Sequence, residues 1–407
     1  MPDKNHFIRD SVHGNVQISK FEMDIMDKAE FQRLRRIKQL GLIYLIYPGA
    51  NHTRFEHSIG TMHLSSKLAN HLELSKEDIE LVRISAMLHD IGHGPFSHVS
   101  EGVLSFPHEK LTEYVIKNTS MKDKLSEKFK INDIIDIVNG KGKFGPIVSG
   151  ELDVDRMDYL MRDSHYTGVS YGVIDIERII SNIKLQKELV LDIKGVQAAE
   201  ATLVSRYFMY PSVYQHHTTR IANEMFRRIL KIAIDDEIIF EKDIYKYDDS
   251  DLTSIFRNNK GYIKNIISRI DNRDLFKRVH TTQLNIFKNP EQFYSITKEE
   301  VRKIEEEIAN DFNIDKEFII LNIAEYPNFD EMKTQVYSGE KLYHLNEISS
   351  IVKALSKARF NMPDISLFVP KEEKIKFERF KLENYIDLPE KSENEFNTIH
   401  YDQIKLI

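Results

Sequence analysis

The sequence predicts a mainly α protein, with a large helical core over residues 1–235 and a smaller α+β domain over 236–407. Three observations predict it. Apolar residues recur at helical spacing through most of the first 235 positions. Beyond about residue 236, charged helical segments mix with strand-like runs such as Phe318-Ile319-Ile320-Leu321-Asn322-Ile323 and Ile365-Ser366-Leu367-Phe368-Val369. The composition, 41% hydrophobic and 30% charged over 407 residues, describes a globular chain long enough for one large core and a second, smaller one.

Residues 7–18 read as a short extended or turn segment around His13-Gly14-Asn15. Apolar spacing from Lys20 to about Leu45 predicts a helix. A second helix is expected over 57–73, opened by Arg54 to His57. Ser75 then reads as an N-cap, with Asp78 three residues on and an apolar run ending in Met87-Leu88. Helical patterns follow near 108–118, 131–139, 151–163 and 175–183. Alternation from Ile183 to Ile193 around Lys187-Glu188 reads as a hairpin. A long helix is expected over 196–234, then charged helices over 249–272, 297–311 and 346–357.

Several classes are excluded or disfavoured. No run approaches the roughly 18 apolar residues of a membrane span, and the N-terminus lacks a signal-peptide pattern. There are 0 cysteines, so any metal must be held by nitrogen and oxygen ligands, and a cytoplasmic location is the expectation. A net charge of −7 argues against a dedicated nucleic-acid binder. The basic patch Arg33-Leu34-Arg35-Arg36-Ile37-Lys38 stays compatible with phosphate.

The most informative stretch is Met87-Leu88-His89-Asp90-Ile91-Gly92-His93-Gly94-Pro95-Phe96-Ser97-His98. Adjacent side chains on a helix diverge, so His89 and Asp90 converge on one atom only at their shared edge, where a bound metal ion is the usual reason. Gly92, Gly94 and Pro95 stop the helix and leave His93 and His98 on a tight turn beside it. Imidazole with carboxylate suits Fe, Mn, Ni, Co or Zn. The bland alternative is a helix end that is merely rich in histidine.

Upstream lies Arg54-Phe55-Glu56-His57-Ser58, and downstream Asp153-Val154-Asp155-Arg156-Met157-Asp158-Tyr159. The order His…His-Asp…Asp resembles the HD-domain metal-dependent phosphohydrolases. With Phe31-Gln32-Arg33-Leu34-Arg35-Arg36-Ile37-Lys38-Gln39-Leu40-Gly41 and Tyr47-Pro48-Gly49-Ala50, it is similar to the dNTP triphosphohydrolases, dGTPase-like enzymes that include the animal sterile-alpha-motif-and-HD-domain branch and its prokaryotic relatives. The likeness runs from about Asp10 to about Arg228. The chain starts directly at this region, with no room expected for a sterile-alpha-motif module.

The resemblance implies a helical HD core and a divalent metal, Fe, Mn, Ni, Co, Zn or Mg, held by His57, His89, Asp90 and Asp155. Such a set leaves coordination positions open, as catalysis requires. His57 alone would read as a buried helix histidine. A carboxylate or carbonyl must orient each imidazole, and Glu56 or Asp153 is the expected partner. The resemblance assigns catalytic work to Arg54, His93, His108 and Glu101, with relatives more often carrying Asp at position 101. His98 is placed at phosphate, or alternatively stabilises its turn. Gln39 and Leu40 are placed beside the sugar, as are Tyr159 and Asp163, with Arg156 and Arg206 at phosphates and Tyr210 and Tyr214 near the base or ribose. Arg156 stands where animal relatives have lysine and Tyr210 where they have histidine, and the two tyrosines also fit ordinary helix packing. Asp27, Gln32, Arg35 and Tyr47 match a guanine-nucleotide activator site built between subunits, or else belong to an amphipathic helix with solvated charges.

The first expectation is therefore a dNTP triphosphohydrolase, with a dNTP as substrate, a GTP- or dGTP-like activator and a homo-oligomeric state, dimer or tetramer. The alternatives are an HD phosphohydrolase on nucleoside monophosphates, ribonucleoside triphosphates or cyclic dinucleotides, and a non-catalytic protein that senses nucleotide or binds nucleic acid.

Overall fold

In a computed structural model, which describes residues 6–323, 334–358 and 364–391, the chain is mainly α and divides into two compact units. One comprises residues 1–273 and 329–355, the other 274–328 and 356–407.

The first unit opens with an antiparallel hairpin, β1 (His6–Asp10) and β2 (Gly14–Ile18), turned at Gly14 with φ +76°. Helix α1 (Lys20–Met26) starts on a capping box of Ser19 and Glu22. The helix expected over 20–45 then breaks up. Residues 29–32 make one short turn, and 33–36 and 41–45 tighten into 3₁₀ turns. Backbone bonds from Gln39 N to His52 O (3.0 Å) and from Arg54 N to Ile37 O (2.9 Å) draw the intervening segment out, and Gly41 takes φ +53°. The apolar spacing survives because Phe31, Leu34 and Ile37 are buried from these tighter turns as they would be from a helix.

Helix α2 (Arg54–His71) begins where Glu56 reaches back to Thr53 N at 2.6 Å. Helix α3 (Lys76–Leu88) is capped by Ser75, as its sequence indicates, and α2 and α3 pack side by side. There follow α4 (His108–Asn118), α5 (Ile131–Val138), α6 (Val154–Thr167), α7 (Ile176–Asn182), α8 (Val196–Met209) and α9 (His217–Asp235). The long helix expected over 196–234 is two helices. Pro211 lacks an N–H, and residues 210–214 form a wide π turn closed from Gln215 N to Tyr210 O (2.7 Å).

This unit runs past residue 235, where the sequence places the boundary. Helices α10 (Asp249–Arg257) and α11 (Gly261–Asp271) pack on α9, with Phe226 and Phe256 ring centroids 5.5 Å apart. Its sheet has the order β3-β4-β7-β8: the hairpin β3 (Ile183–Leu185) and β4 (Leu189–Asp192), then β7 (Gln335–Tyr337), parallel to β4, and β8 (Leu342–His344).

The second unit is α+β. Strand β9 (Asp364–Val369) lies between β5 (Lys277–Gln283) and β6 (Ile320–Ile323), antiparallel to both, and all six of its residues are buried. Its core includes Phe293, Ile308, Leu367 and Phe377, with helix α12 (Lys298–Phe312) supplying Ile308.

Candidate functional site

All the catalytic and metal residues expected from the sequence lie in the first unit, delivered by α2, the end of α3, the turn after it, the start of α4, and α6. His57 is fully buried in the first turns of α2. Its Nδ1 lies 2.8 Å from Asp158 Oδ2, so an ionised Asp158 makes Nδ1 the donor and turns Nε2 inward, where a cation can replace its proton. His89 ends α3, with Nδ1 2.7 Å from Ala86 O. A carbonyl only accepts, so Nδ1 carries the proton there too. Among the described residues both Nε2 atoms are buried and make no hydrogen bond of ordinary geometry, although carboxylates lie close by, the state of an imidazole prepared for a cation.

The carboxylates close the site. Asp155 Oδ1 is 3.0 Å from His57 Nε2 and 3.6 Å from His89 Nε2. One ligand atom each from His57, His89 and Asp155 lies within 4.8 Å of the others. Asp90 presents Oδ2 to His57 Nε2 at 3.5 Å and Oδ1 to His89 Nε2 at 3.4 Å. His57, His89 and Asp155 can share a divalent ion, with Asp90, which lies against both imidazoles but outside that mutually close set, as the fourth candidate, and such a set leaves positions open for water or phosphate. With no ion bound, burial would lower the His57 pKa, but the adjacent Asp155 and Asp158 carboxylates outweigh this and carry it to about 10. Burial would raise Asp90, yet Arg54, His89 and His93 hold it well below the carboxylate range.

The orienting groups differ from those expected. Glu56 is spent on the cap of α2 and Asp153 on the cap of α6, where it accepts from Arg156 N at 2.8 Å. Asp158 and the Ala86 carbonyl orient the imidazoles instead. Asp158 lies three residues after Asp155 and four before Arg162, whose guanidinium bonds it at 2.8 and 2.9 Å. From the sequence, Asp158 and Asp153 read only as structural or supporting neighbours of Asp155, and the i,i+4 pairing of Asp158 with Arg162 is the signal for its closer role.

Beside this centre stand four more groups within mutual reach, His93, His98, Glu101 and His108. Glu101 receives His98 Nδ1 on one oxygen and His108 Nδ1 on the other, both at 2.8 Å. His93 Nε2 is 3.3 Å from Asp90 Oδ1 and joins the two clusters. The backbone of this turn is strained, with Phe96 at φ +57° and Ser97 at φ +55°. Three bonds hold it. Asp249 Oδ1 accepts from Phe96 N at 2.6 Å, Ser97 Oγ donates to Lys38 O at 2.8 Å, and Arg54 Nε donates to Ser97 Oγ at 2.9 Å. Arg54 Nη1 also bonds Asp90.

The other expected residues gather only in part. Tyr214 donates to Asp163 Oδ2 at 2.8 Å, and His52, which the sequence reading missed, sits 2.8 Å from Asp163 Oδ1. Tyr214 has Tyr159 at 6.4 Å and Tyr210 at 6.5 Å between ring centroids, and the Arg206 charge acts on Tyr159 and Tyr214. Gln39 is buried with Oε1 unpartnered, followed by half-buried Leu40. Arg156 Nη1 bonds Asp153 at 2.8 Å. Asp27, Gln32 and Arg35 do not share one helix. Asp27 ends α1, Gln32 Nε2 donates to Met26 O at 2.8 Å, and exposed Arg35 donates to Gln32 Oε1 at 2.9 Å with its guanidinium 3.5 Å from the Phe55 ring centre. Tyr47 donates its hydroxyl to Ser212 O at 2.6 Å, away from these three in its bonding.

The chain is similar to several known proteins. The chain is 39% identical over 372 residues to an uncharacterised protein of Methanocaldococcus jannaschii, covering 90% of this chain and 79% of that one. It is 30% identical to a deoxynucleoside triphosphate triphosphohydrolase SAMHD1 homolog of Dictyostelium discoideum, over 67% of this chain and 59% of that protein's length. A crystal structure of a hypothetical protein from Aquifex aeolicus superposes with a TM-score of 0.77 at 31% identity, covering 92% of this chain and 99% of that one. A phosphohydrolase from Bacteroides thetaiotaomicron gives 0.75 at 26% identity, covering 90% and 100%. Residues 54–163 match the HD domain and residues 174–397 the HD associated region. With its paired histidines and aspartates on α2, α3 and α6, the chain belongs to the HD-domain phosphohydrolase family.

Proposed function

We propose that this protein is a divalent-metal-dependent dNTP triphosphohydrolase, which converts a dNTP and water into deoxynucleoside and inorganic triphosphate. One observation carries the reading: two buried imidazoles with unpartnered Nε2 atoms stand directly beside a second set of histidines tied to Glu101. Water attack on the α-phosphorus breaks its bond to O5′, and that oxygen must then take up a proton. The first cluster suits the attack and the second the protonation.

In this reading His57, His89, Asp90 and Asp155 hold the ion, which when bound polarises a phosphoryl oxygen and lowers the pKa of water. Arg54, lying between Asp90 and Ser97, turns its remaining guanidinium edge to phosphate, since Nη2 is buried without a partner. His108 donates the proton, kept charged by Glu101, while His98 and His93 line its path. Gln39, Leu40, Tyr159, Asp163, Tyr210 and Tyr214 receive the nucleoside, with Arg156 and Arg206 at the phosphates. Asp27, Gln32, Arg35 and Tyr47 bind a guanine nucleotide between subunits of a homo-oligomer in the cytoplasm. The C-terminal unit has an accessory, assembly role. The relative from Dictyostelium, named as a deoxynucleoside triphosphate triphosphohydrolase homolog, supports the choice of substrate.

The test is product analysis. Metal-loaded protein is incubated with each dNTP and NTP, and its products are separated by anion chromatography. Triphosphate with free deoxynucleoside is expected. Release of orthophosphate alone, or equal turnover of NTPs, overturns the reading.

A further inference from the structure

The N-terminal hairpin reaches into the metal centre. Its turn residue His13 has a side chain only 7% exposed, and its Nε2 lies 2.6 Å from Asp158 Oδ1. The other oxygen of Asp158 receives His57 Nδ1 at 2.8 Å. Arg162 supplies one further donor to each oxygen, Nη2 to Oδ1 at 2.9 Å and Nε to Oδ2 at 2.8 Å. A carboxylate has about four acceptor sites, and Asp158 has all of them filled by donors. It has no freedom to rotate away from His57 or to accept from the wrong nitrogen.

The surroundings are shaped to this arrangement. Asp10, the last residue of β1, accepts from Val12 N at 2.9 Å and His13 N at 2.7 Å, which fixes the turn that aims His13 inward. Its other oxygen takes Arg162 Nη1 at 2.9 Å, so one fully buried guanidinium clamps both carboxylates. Gly60 of α2 leaves the space. A Cβ there would lie 1.8 Å from Asp158 Oδ1 and 2.5 Å from Arg162 Nη2.

We infer that His13 is a positioning residue for the metal centre: through Asp158 it fixes the orientation and proton placement of the ligand His57, so that the hairpin is a working part of the site. The inference rests on the assignment of His57 as a metal ligand. Losing such an orienting partner typically costs 10–100-fold in metal affinity.

The experiment measures Mn²⁺ affinity by titration calorimetry, with the melting temperature of the metal-free protein read alongside. Wild-type protein and His57→Ala come first, and failure of wild type to bind Mn²⁺ overturns the metal assignment together with this inference. Given wild-type binding that His57→Ala abolishes, His13→Ala is expected to weaken Mn²⁺ binding roughly 10-fold or more while the metal-free melting temperature stays near wild type. His13→Gln, whose amide N–H reaches about as far, should restore most of the loss. Ser11→Ala removes the other bond from this turn to α6, Ser11 Oγ to Tyr166 at 2.9 Å, without touching Asp158, and should leave the affinity unchanged. Wild-type affinity in His13→Ala, or an equal loss in Ser11→Ala, overturns the positioning role and leaves the metal assignment standing.

Discussion

His93 stacks on His108, ring centroids 3.8 Å apart and planes 16° from parallel. Two imidazoles this close do not both carry a positive charge at neutral pH, and their surroundings decide between them. Burial, with the Arg54 and His108 charges, pushes the His93 pKa well below its ordinary value. Burial also opposes charge on His108, but Glu101 and the nearby Asp90 outweigh it and raise its pKa. Of the two rings, His108 is therefore the one that takes the positive charge.

That assignment predicts a pH profile. If His108 is the general acid, turnover needs its charged form, so kcat falls as pH rises through a pKa above the usual 6.5 or so. Replacing Glu101 by Gln removes the charge that raises it, and the alkaline limb should move to lower pH. His108→Ala should lower kcat by about 10²–10⁴-fold with metal content unchanged. An unmoved alkaline limb in Glu101→Gln would assign the acid to another group.

The metal centre yields a second prediction. Metal-free His57 stays protonated up to about 10 because Asp155 and Asp158 flank it. A cation must displace that proton, so metal uptake at pH 7 should release protons, and affinity should weaken as pH falls. Calorimetry in buffers of different ionisation enthalpy measures the release. Asp155→Ala should abolish metal binding and hydrolysis while far-UV circular dichroism stays that of wild type.

Much of this was legible in the sequence because the informative residues are close in the chain. His89, Asp90, His93 and His98 lie within ten residues, and the cap at Ser75 is a local signal. What stayed hidden depends on long-range pairing. The apolar period through residues 20–45 counts buried positions but cannot register that Lys38 bridges Thr53, which breaks the helix. The first unit runs past residue 235 because α10 and α11 pack back on α9, and it regains residues 335–337 because they pair with β4. His13 meets Asp158 across 145 positions and His52 meets Asp163 across 111. Spacing along one chain segment carries no trace of either partnership.

Asp249 gives a prediction about stability. Burial raises its pKa to about 7, although Lys38 N and Phe96 N both donate to it, at 2.9 and 2.6 Å. It thereby staples the segment before Gln39 to the turn that carries His98. The native pKa lies above the roughly 3.9 of an unfolded aspartate, so the folded state binds more protons between those values. Its contribution to stability is then greatest at low pH and declines from about pH 4 to pH 7. Asp249→Asn keeps one acceptor oxygen and leaves one buried N–H unpaired, at a cost of about 1–3 kcal/mol. Denaturant melts should show the variant less stable at pH 5, with the gap to wild type narrowing by pH 8. A gap that does not change with pH would show that Asp249 does not titrate in this range.

If a guanine nucleotide activates the protein as proposed, Arg35 offers a route from it to the candidate metal centre. Its guanidinium lies over the Phe55 ring at 3.5 Å, and Phe55 directly follows Arg54, which bonds Asp90 and Ser97. Arg35 is exposed, and its side-chain bond to Gln32 can be exchanged for a phosphate. A nucleotide that draws Arg35 off Phe55 changes the packing at the start of α2, where Arg54 and His57 are both placed. Coupling of this kind is typically ~1–3 kcal/mol, a several-fold to hundred-fold effect. GTP should therefore stimulate turnover of a dNTP, and the stimulated species should sediment as a dimer or larger. Arg35→Ala should lose the stimulation with its metal content intact. If GTP and dGTP leave turnover of every other dNTP unchanged and the protein sediments as a monomer throughout, Arg35 is a surface cation resting on an aromatic ring and the regulatory reading fails.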